Sequence, residues 1–389
     1  MKRILFSFLL FLGLPAQLLA IPAFARITGN SCAYCHALPS LQLTVEGIKF
    51  QHNGMRLAPL KFSKEDQTLT NYASLVLEYQ VNAYRTTPQT SPSVQNTEPV
   101  FSVFTGGALA NAWSYKAIYH FNSSPDPTAN LEEAYLQYNA NLGGGTLLAV
   151  RGGQFMPEIL RNFGLGPSSY VETPLVLGTA VSANSPFTLA TAMRGVDANL
   201  YWSGLEASVG AFDATTGSTT TNPTNHKDTY GSLLWRFDGM GSGAGYFRYD
   251  GVNMVFTTPG DPTTPLLYND SFYRNGLLFR FVREKWRVMA AGFQGAHTMD
   301  TLGTRSKNRG WYGLVDLDFT ERFGAFARYD QESPDLTDST QNTRMAVLGL
   351  NGFLFREARS GGRWVLETSR TTSNGIKNYQ TLLYVVMAF

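Results

Sequence analysis

The chain ends on the stretch Tyr379-Gln380-Thr381-Leu382-Leu383-Tyr384-Val385-Val386-Met387-Ala388-Phe389. Every second residue shares one face, which carries Tyr379, Thr381, Leu383, Val385, Met387 and Phe389. A period of two is the pattern of a β-strand, because successive side chains of a strand point to opposite faces. The stretch therefore predicts a terminal β-strand with one apolar and aromatic face.

The same alternation recurs along the chain from residue 68 onward. Residues 311–319 and 323–330 are clear examples, with Trp311 on one face of its segment and Asp316 on the other. One face of each segment is apolar and aromatic, while the opposite face is mixed and polar. This pattern is typical of strands that separate lipid from an aqueous lumen.

About sixteen such segments have the length, roughly ten residues, that a tilted strand needs to cross a bilayer. They lie near 72–85, 100–110, 112–121, 130–141, 146–156, 192–202, 204–214, 228–238, 243–254, 270–283, 285–297, 308–319, 322–332, 342–355, 362–370 and 378–389. Their connections alternate between long and short, as in barrels with long extracellular loops and short periplasmic turns. An even strand number leaves both termini in the periplasm.

Composition agrees with this fold class. The 389 residues are 43% hydrophobic and 13% aromatic, with 37 glycines and a mean hydropathy of -0.14. The lipid and lumen faces of a membrane barrel average to such values. A net charge of +2 gives no electrostatic case for nucleic acid. We therefore predict an all-β fold, a transmembrane antiparallel β-barrel of about 16 strands, surrounded by lipid of the bacterial outer membrane.

Residues 1–25 have the features of a secretory signal peptide. Lys2 and Arg3 precede an apolar run, and the small-x-small site Ala23-Phe24-Ala25 follows. An alternative cleavage would fall after Ala20. We expect the mature chain to begin at Arg26 and to be exported through the periplasm.

The motif Cys32-Ala33-Tyr34-Cys35-His36 comes directly after this signal. C-x-x-C-H is the attachment pattern of a c-type haem, since two thiols bond to the haem vinyl groups and the histidine lies under the iron. A zinc site would need about four ligands, and the chain has only two cysteines. A redox disulfide would be expected in a βαβ context. The motif therefore predicts one covalent haem c, held by Cys32 and Cys35 with His36 as the proximal iron ligand.

Residues 26–67 are too few to bury a haem in a core of their own. We expect this monohaem cytochrome c segment to plug the lumen of the barrel, which is formed by residues 68–389. Two nearby residues, His52 and Met55, are candidates for the distal iron ligand, and we slightly favour Met55. Met with His raises the haem potential relative to two histidines. His52 could instead be a solvated polar residue, and Met55 a residue that packs against the haem. Lys49 and Arg56 could pair with haem propionates, although ordinary surface charge is the preferred interpretation of each.

Four charged residues of the later strands, Asp316, Asp318, Arg328 and Asp330, are expected to face the lumen. They could tune ion passage or pair with the plug, but we expect ordinary solvated lumen lining. The connection 157–191 is long enough to fold into the pore.

A resemblance rests on the residues Pro22-Ala23-Phe24-Ala25-Arg26, Thr28-Gly29, Cys32, Cys35-His36, Pro39, Leu41, Gly47, Phe50 and Gly54 ahead of a barrel. This layout resembles the fused monohaem cytochrome–porins of the bacterial outer membrane, including those of iron-oxidising bacteria. The interval from Pro39 to Gly47 is longer here, and Met55 stands where an aromatic residue is common. The subfamily, and with it the electron donor, stays open.

The resemblance implies an electron-transfer protein that accepts electrons from extracellular Fe(II) and passes them to periplasmic carriers, a cytochrome c or a copper protein. Its activity would be that of an iron(II) oxidase. Two alternatives remain open. One is a solute-selective porin with a structural haem plug, and the other is an outward conduit that reduces an extracellular acceptor.

Overall fold

The computed structural model describes residues 23–56, 73–88, 92–96, 99–121, 131–166, 168–179, 187–213, 226–256, 264, 266–298, 303–356 and 361–388. Most of residues 1–25, the boundary at residue 67 and the terminal Phe389 lie outside them. The predicted signal peptide, domain boundary and closing aromatic residue therefore stay predictions.

Within the described residues, 17 strands form one antiparallel sheet. They are β1 Ala73–Thr87, β2 Ser93–Asn96, β3 Val100–Ala108, β4 Trp113–His120, β5 Leu131–Gly143, β6 Thr146–Phe155, β7 Met193–Trp202, β8 Leu205–Asp213, β9 Lys227–Arg236, β10 Gly243–Phe256, β11 Leu266–Arg283, β12 Trp286–Thr298, β13 Arg305–Thr320, β14 Phe323–Ser333, β15 Thr343–Arg356, β16 Gly361–Ser373 and β17 Ile376–Ala388. Each long strand pairs with its neighbours in sequence, as up-and-down connectivity requires.

The sheet closes into a barrel because its first and last strands pair. β1 pairs antiparallel with β17 in a register that runs from Val76↔Ala388 to Thr87↔Lys377. The other edge of β1 pairs with β3. Closer to the long-loop end, the same edge of β1 pairs with the short β2. Closure leaves sixteen long strands in the barrel wall, which confirms the predicted architecture.

Burial alternates along the wall as the sequence pattern predicts. In β13, Trp311, Val315 and Phe319 point outward and are exposed, whereas Asp316 and Asp318 point inward and are buried. An outward apolar face and an inward polar face are what a lipid-embedded barrel needs. The fold and this outer face place the chain in the bacterial outer membrane.

Helices are few and short. They are α1 Ala23–Thr28, α2 Cys32–Cys35, α3 Val45–His52, α4 Glu158–Leu160, α5 Leu175–Gly178, a π-helical turn at Arg161–Leu165 and a 3-10 turn at Ser339–Gln341. None of the helices in the described part of the chain is long and apolar enough to cross a membrane.

The described residues of the connection 157–191, which are 157–166, 168–179 and 187–191 and are called here the inward loop, fold into the lumen. The Tyr312 hydroxyl on β13 donates to the carbonyl of Phe163 in the loop. Arg363 on β16 donates to the Ser168 carbonyl at 2.6 Å. Both wall residues point inward and are buried, so the loop lies inside the barrel rather than over its rim. A buried aromatic and aliphatic cluster fills the space around it.

Candidate functional site

The helix α2 presents both cysteines on one turn. Ser31 precedes it, and the His36 backbone N–H closes the turn by donating to the Cys32 carbonyl at 2.8 Å. Cys32 and Cys35 are not joined in a disulfide, and both are partly exposed. Ala33 and Tyr34, between them, are exposed. The turn therefore offers two thiols on a scaffold that leaves their surroundings accessible.

His36 is held in a fixed orientation. Its Nδ1 lies 2.7 Å from the backbone carbonyl of Leu41, so that Nδ1 carries the proton and Nε2 is the nitrogen that can bind a metal. Burial lowers the pKa of His36, and the nearby charge of Arg363 acts in the same direction. A neutral imidazole is the form that ligates iron.

The loop that supplies this carbonyl is tied to α2. Thr44 N–H donates to the Cys35 carbonyl at 2.9 Å, and Ala37 N–H donates to Gln42 at 2.7 Å. Leu41 itself adopts a left-handed backbone conformation with φ 64°. The hydrogen bonds hold that strained residue in the position where its carbonyl meets His36.

The helix α3 packs directly on α2. Its N-terminus is capped by Thr44, whose hydroxyl accepts from Gly47 N–H at 3.2 Å. A Cβ added at Gly47 would lie 2.1 Å from the Cys35 carbonyl oxygen. Only glycine permits this approach, so Gly47 fixes α3 against the cysteine turn.

These residues fit a covalent haem c. Two thiols sit on one helical turn, and the next residue is a histidine with an oriented Nδ1 and a ligating Nε2. Haem so bound supplies one-electron chemistry. Among the described residues, no cluster of three or more His, Cys, Asp or Glu could hold a separate metal ion.

The two distal candidates have different surroundings. His52 Nε2 lies 2.8 Å from Glu158 Oε1, and its ring stacks on Tyr201 with centroids 3.7 Å apart. Met55 is 6% exposed, and its backbone N–H donates to the Phe50 carbonyl at 2.9 Å. No polar contact of the Met55 sulfur occurs among the described residues. This difference favours Met55, and the assignment stays a prediction.

Lys49 and Arg56, the two residues that could have paired with haem propionates, contact other protein groups. Lys49 is exposed and pairs with Glu46 at 2.8 Å, as expected of surface charge. Arg56 differs from that expectation, since it donates to the carbonyls of Asn111 and Trp113 in a short turn of the barrel. Arg56 therefore ties the last described residue of the N-terminal segment to the wall.

Residues 36–56, called here the docked segment, contact the inner wall of the barrel at the end with short turns. The Leu43 carbonyl accepts from Arg280 at 2.7 Å, and the Gln42 amide donates to Asp316. On the opposite wall, the His52 carbonyl accepts from Gln137 and Asn139. The segment lies inside the lumen, near the periplasmic mouth that the strand connections define.

The predicted lumen residues Asp316, Asp318, Arg328 and Asp330 do face inward. Their expected role as solvated lining is wrong, because all four are buried under the docked segment and the inward loop. Arg328 pairs with Asp330 at 3.1 Å and stacks on Tyr170 of the loop at 4.5 Å. The lining is packed because two chain segments enter the same lumen.

A polar junction joins docked segment, loop and wall at Glu158, a residue that sequence reasoning did not single out. Its Oε1 contacts His52, and its Oε2 accepts from the Tyr201 hydroxyl at 2.7 Å. Burial opposes ionisation, but His52 and Arg151 outweigh it and lower the pKa of Glu158 to about 2. An ionised carboxylate thus links three elements.

We expect Glu158→Ala to weaken docking of the haem segment. The change removes a buried carboxylate that contacts His52 and pairs with Arg151 at 4.0 Å, and removing one partner of a buried ion pair costs about 3–5 kcal/mol. Tyr201→Phe is the matched control, because it keeps the stacked ring and removes one hydrogen bond worth about 1 kcal/mol. Urea unfolding and limited proteolysis of residues 36–56 measure the difference. Equal effects of the two variants would contradict the assigned role of Glu158.

The fold and the lumen contacts define an outer-membrane β-barrel of porin type that carries a segment inside its lumen. An anion-selective porin from Comamonas acidovorans has a similar structure, with a TM-score of 0.58 and 9% identity over 82% of this chain and 99% of the porin. OprB of Pseudomonas putida matches with a TM-score of 0.53 and 11% identity, over 82% of this chain and 94% of OprB.

OmpT, an outer-membrane protein of Vibrio cholerae, matches with a TM-score of 0.53 and 9% identity over 82% of this chain and 97% of OmpT. At such identities the likeness concerns the fold alone. No protein-family model matches the sequence, and neither does a curated protein.

Proposed function

We propose that this chain is an outer-membrane electron-transfer protein. It carries one haem c on Cys32 and Cys35 and accepts electrons from extracellular Fe(II). The observation that carries the proposal is the oriented His36 imidazole beside the cysteine turn, inside the periplasmic mouth of a membrane barrel. Periplasmic carriers, a cytochrome c or a copper protein, would receive the electrons. The activity is that of an iron(II) oxidase.

The chemistry of the site favours electron transfer over bond-making catalysis. A haem with two protein ligands passes one electron at a time and leaves no open coordination position. The surrounding polar groups form ion pairs and hydrogen bonds with backbone and wall, as Glu158 and Arg56 illustrate. Their roles are explained by docking of the segment.

The position of the docked segment suggests where each redox partner meets the protein. Tyr34 is 39% exposed beside the cysteines, at the end of the barrel where a periplasmic carrier would arrive. The apolar band of an outer-membrane barrel is about 25 Å tall. A single haem at the periplasmic end does not span this height. Extracellular Fe(II) would therefore have to enter through the long-loop mouth, and the inward loop occupies part of that route.

The porin alternative also has support. The solved structures of similar fold include an anion-selective porin, and arginines of this chain line the inner wall. In that case the haem segment would act as a structural plug or redox gate. An outward conduit, which reduces an extracellular acceptor, would use the same residues with the opposite direction of electron flow.

We expect Fe(II) to reduce the haem-loaded protein rapidly. Stopped-flow spectroscopy of the purified protein mixed with Fe(II) would record the reduced haem band. The Cys32→Ala/Cys35→Ala protein is the control for reaction with anything other than haem. A haem that stays oxidised with Fe(II), although other donors reduce it, would contradict the iron(II) oxidase proposal and leave the conduit possible.

Conductance separates the conduit from the porin. In planar bilayers the haem-loaded barrel should pass little current, because the docked segment and inward loop occupy the lumen. Stable solute-selective channels from the intact protein would favour the porin alternative.

A further inference from the structure

Two arginines of the inner wall carry buried guanidinium groups that form no ion pair among the described residues. Arg280 on β11 is 2% exposed, and Arg363 on β16 is 7% exposed. The Nε of each is buried without a hydrogen-bond partner. Their Nη2 atoms donate to backbone carbonyls, of Leu43 in one case and of Ser168 and Ser169 in the other.

Other inward-facing arginines avoid an unpaired buried charge by forming ion pairs with carboxylates. Arg236 pairs with Glu206, Arg287 with Asp318, and Arg151 with Asp197. A buried charge without a counter-ion costs several kcal/mol, even after relaxation. A carbonyl dipole offsets only part of that cost.

Asp316 lies at the same end of the lumen, and its charge acts on both arginines, but it is not close enough to either to form an ion pair. Its carboxylate accepts from Gln42 and forms no ion pair with an arginine in the described part of the chain. In the described part of the chain, neither Arg280 nor Arg363 therefore has a carboxylate at ion-pair distance.

Both arginines are next to the haem motif. Arg280 donates to the Leu43 carbonyl, and Leu43 forms a β-bridge with His36. Arg280 also borders a cavity of about 20 Å³, shared with Gln42 and Leu43. Arg363 reaches the same cavity through Ser168, since it donates to the Ser168 carbonyl and Ser168 also lines the cavity. Both guanidiniums therefore bind carbonyls of residues that line this cavity, which borders the segment directly after the expected iron ligand.

We infer that Arg280 and Arg363 bind the two propionate carboxylates of the haem attached at Cys32 and Cys35. Haem supplies two carboxylates, and the wall supplies two buried guanidiniums without partners. Arg–carboxylate pairing is the strong, charge-assisted form of the hydrogen bond. The inference rests on the proposed haem function, and it makes the barrel wall a part of the haem site.

The first test compares stability with and without haem. In the haem-loaded protein, Arg280→Gln and Arg363→Gln should each lower the urea midpoint, because a paired charge is lost. In the haem-free Cys32→Ala/Cys35→Ala protein the same changes should leave the midpoint unchanged or raise it, because an unpaired buried charge is removed. Equal destabilisation in both backgrounds would mean that the arginines serve only their carbonyl contacts, and would overturn the inference.

The matched controls are outward arginines of the same strands. Arg283→Gln on β11 and Arg370→Gln on β16 change the same residue type at exposed positions. They should leave the midpoint and the haem potential unaltered. A response equal to that of Arg280→Gln or Arg363→Gln would overturn the inference, since the effect would be one of net charge.

The second test reads the haem directly. Removing a cation beside a propionate should shift the ferric–ferrous equilibrium toward ferric haem by about tenfold, or about 59 mV for a one-electron couple. Arg280→Lys should restore most of that shift, because it restores the charge. An unchanged potential in haem-loaded Arg280→Gln and Arg363→Gln would overturn the inference.

Two further outcomes keep the proposals separate. A wild-type chain that carries no covalent haem would refute the proposed function itself. If inorganic phosphate stabilises the haem-loaded wild type but not Arg280→Gln, the guanidinium is free to bind an anion, and the propionate assignment is wrong.

Discussion

Replacing both Cys32 and Cys35 by alanine is expected to abolish covalent haem attachment and to leave the barrel folded. The thioether bonds are the only covalent link available, because these are the two cysteines of the chain. The barrel should survive because its wall closes through β1–β17 pairing, independently of α2. Haem staining after denaturing electrophoresis and the pyridine haemochrome spectrum measure the loss.

Tyr34→Phe is the matched control for that experiment. It changes an exposed residue between the cysteines and removes only a 3.4 Å contact with Glu46. Covalent haem should stay at the wild-type level in this variant. Retention of covalent haem at normal yield in the double cysteine variant would refute the attachment site.

The wall of the barrel could be predicted because its pattern is local. A strand with lipid on one face repeats every two residues, and the repeat is visible in the sequence over 311–319 or 379–389. The terminal strand extends over Ile376–Ala388, close to its predicted position. β2, Ser93–Asn96, was missed because its four residues are exposed and show no buried face.

The surroundings of the haem motif could not be predicted in the same way. C-x-x-C-H is a contiguous signal, whereas Gln42 meets Asp316 across 274 residues and Arg280 meets Leu43 across 237. Alternation places Arg280 and Arg363 on the inward face, but it does not reveal which residues of the docked segment they contact. Such contacts depend on barrel register and on where the segment enters the lumen.

The docked segment and the inward loop also explain why charged residues of the lumen are buried. An open pore would leave Asp316 and Arg328 in water, as the sequence pattern suggests. The docked segment and the inward loop remove that water, so each buried charge needs a partner other than bulk water. Asp330 is the partner of Arg328, and Gln42 of the docked segment donates to Asp316.

Gly47→Val is expected to prevent α3 from docking on the cysteine turn. A Cβ at this position would lie 2.1 Å from the Cys35 carbonyl oxygen and 3.0 Å from Leu43 Cδ2. The first of these is a backbone atom, so relief requires moving α2 or α3 as a whole. Overpacking a tight site costs about 1–3 kcal/mol or more. The loss should fall on the haem segment rather than on the barrel.

Two measurements show whether Gly47→Val disrupts the haem segment or the barrel. Covalent haem yield and protection of residues 36–56 from protease should fall, while the heat-modifiable migration of the folded barrel should persist. Glu46→Ala is the control, since it changes the neighbouring residue of α3 and removes only two exposed contacts, the pair with Lys49 and the 3.4 Å contact with the Tyr34 hydroxyl. Wild-type haem yield in Gly47→Val would mean that α3 does not pack on the cysteine turn when haem is attached.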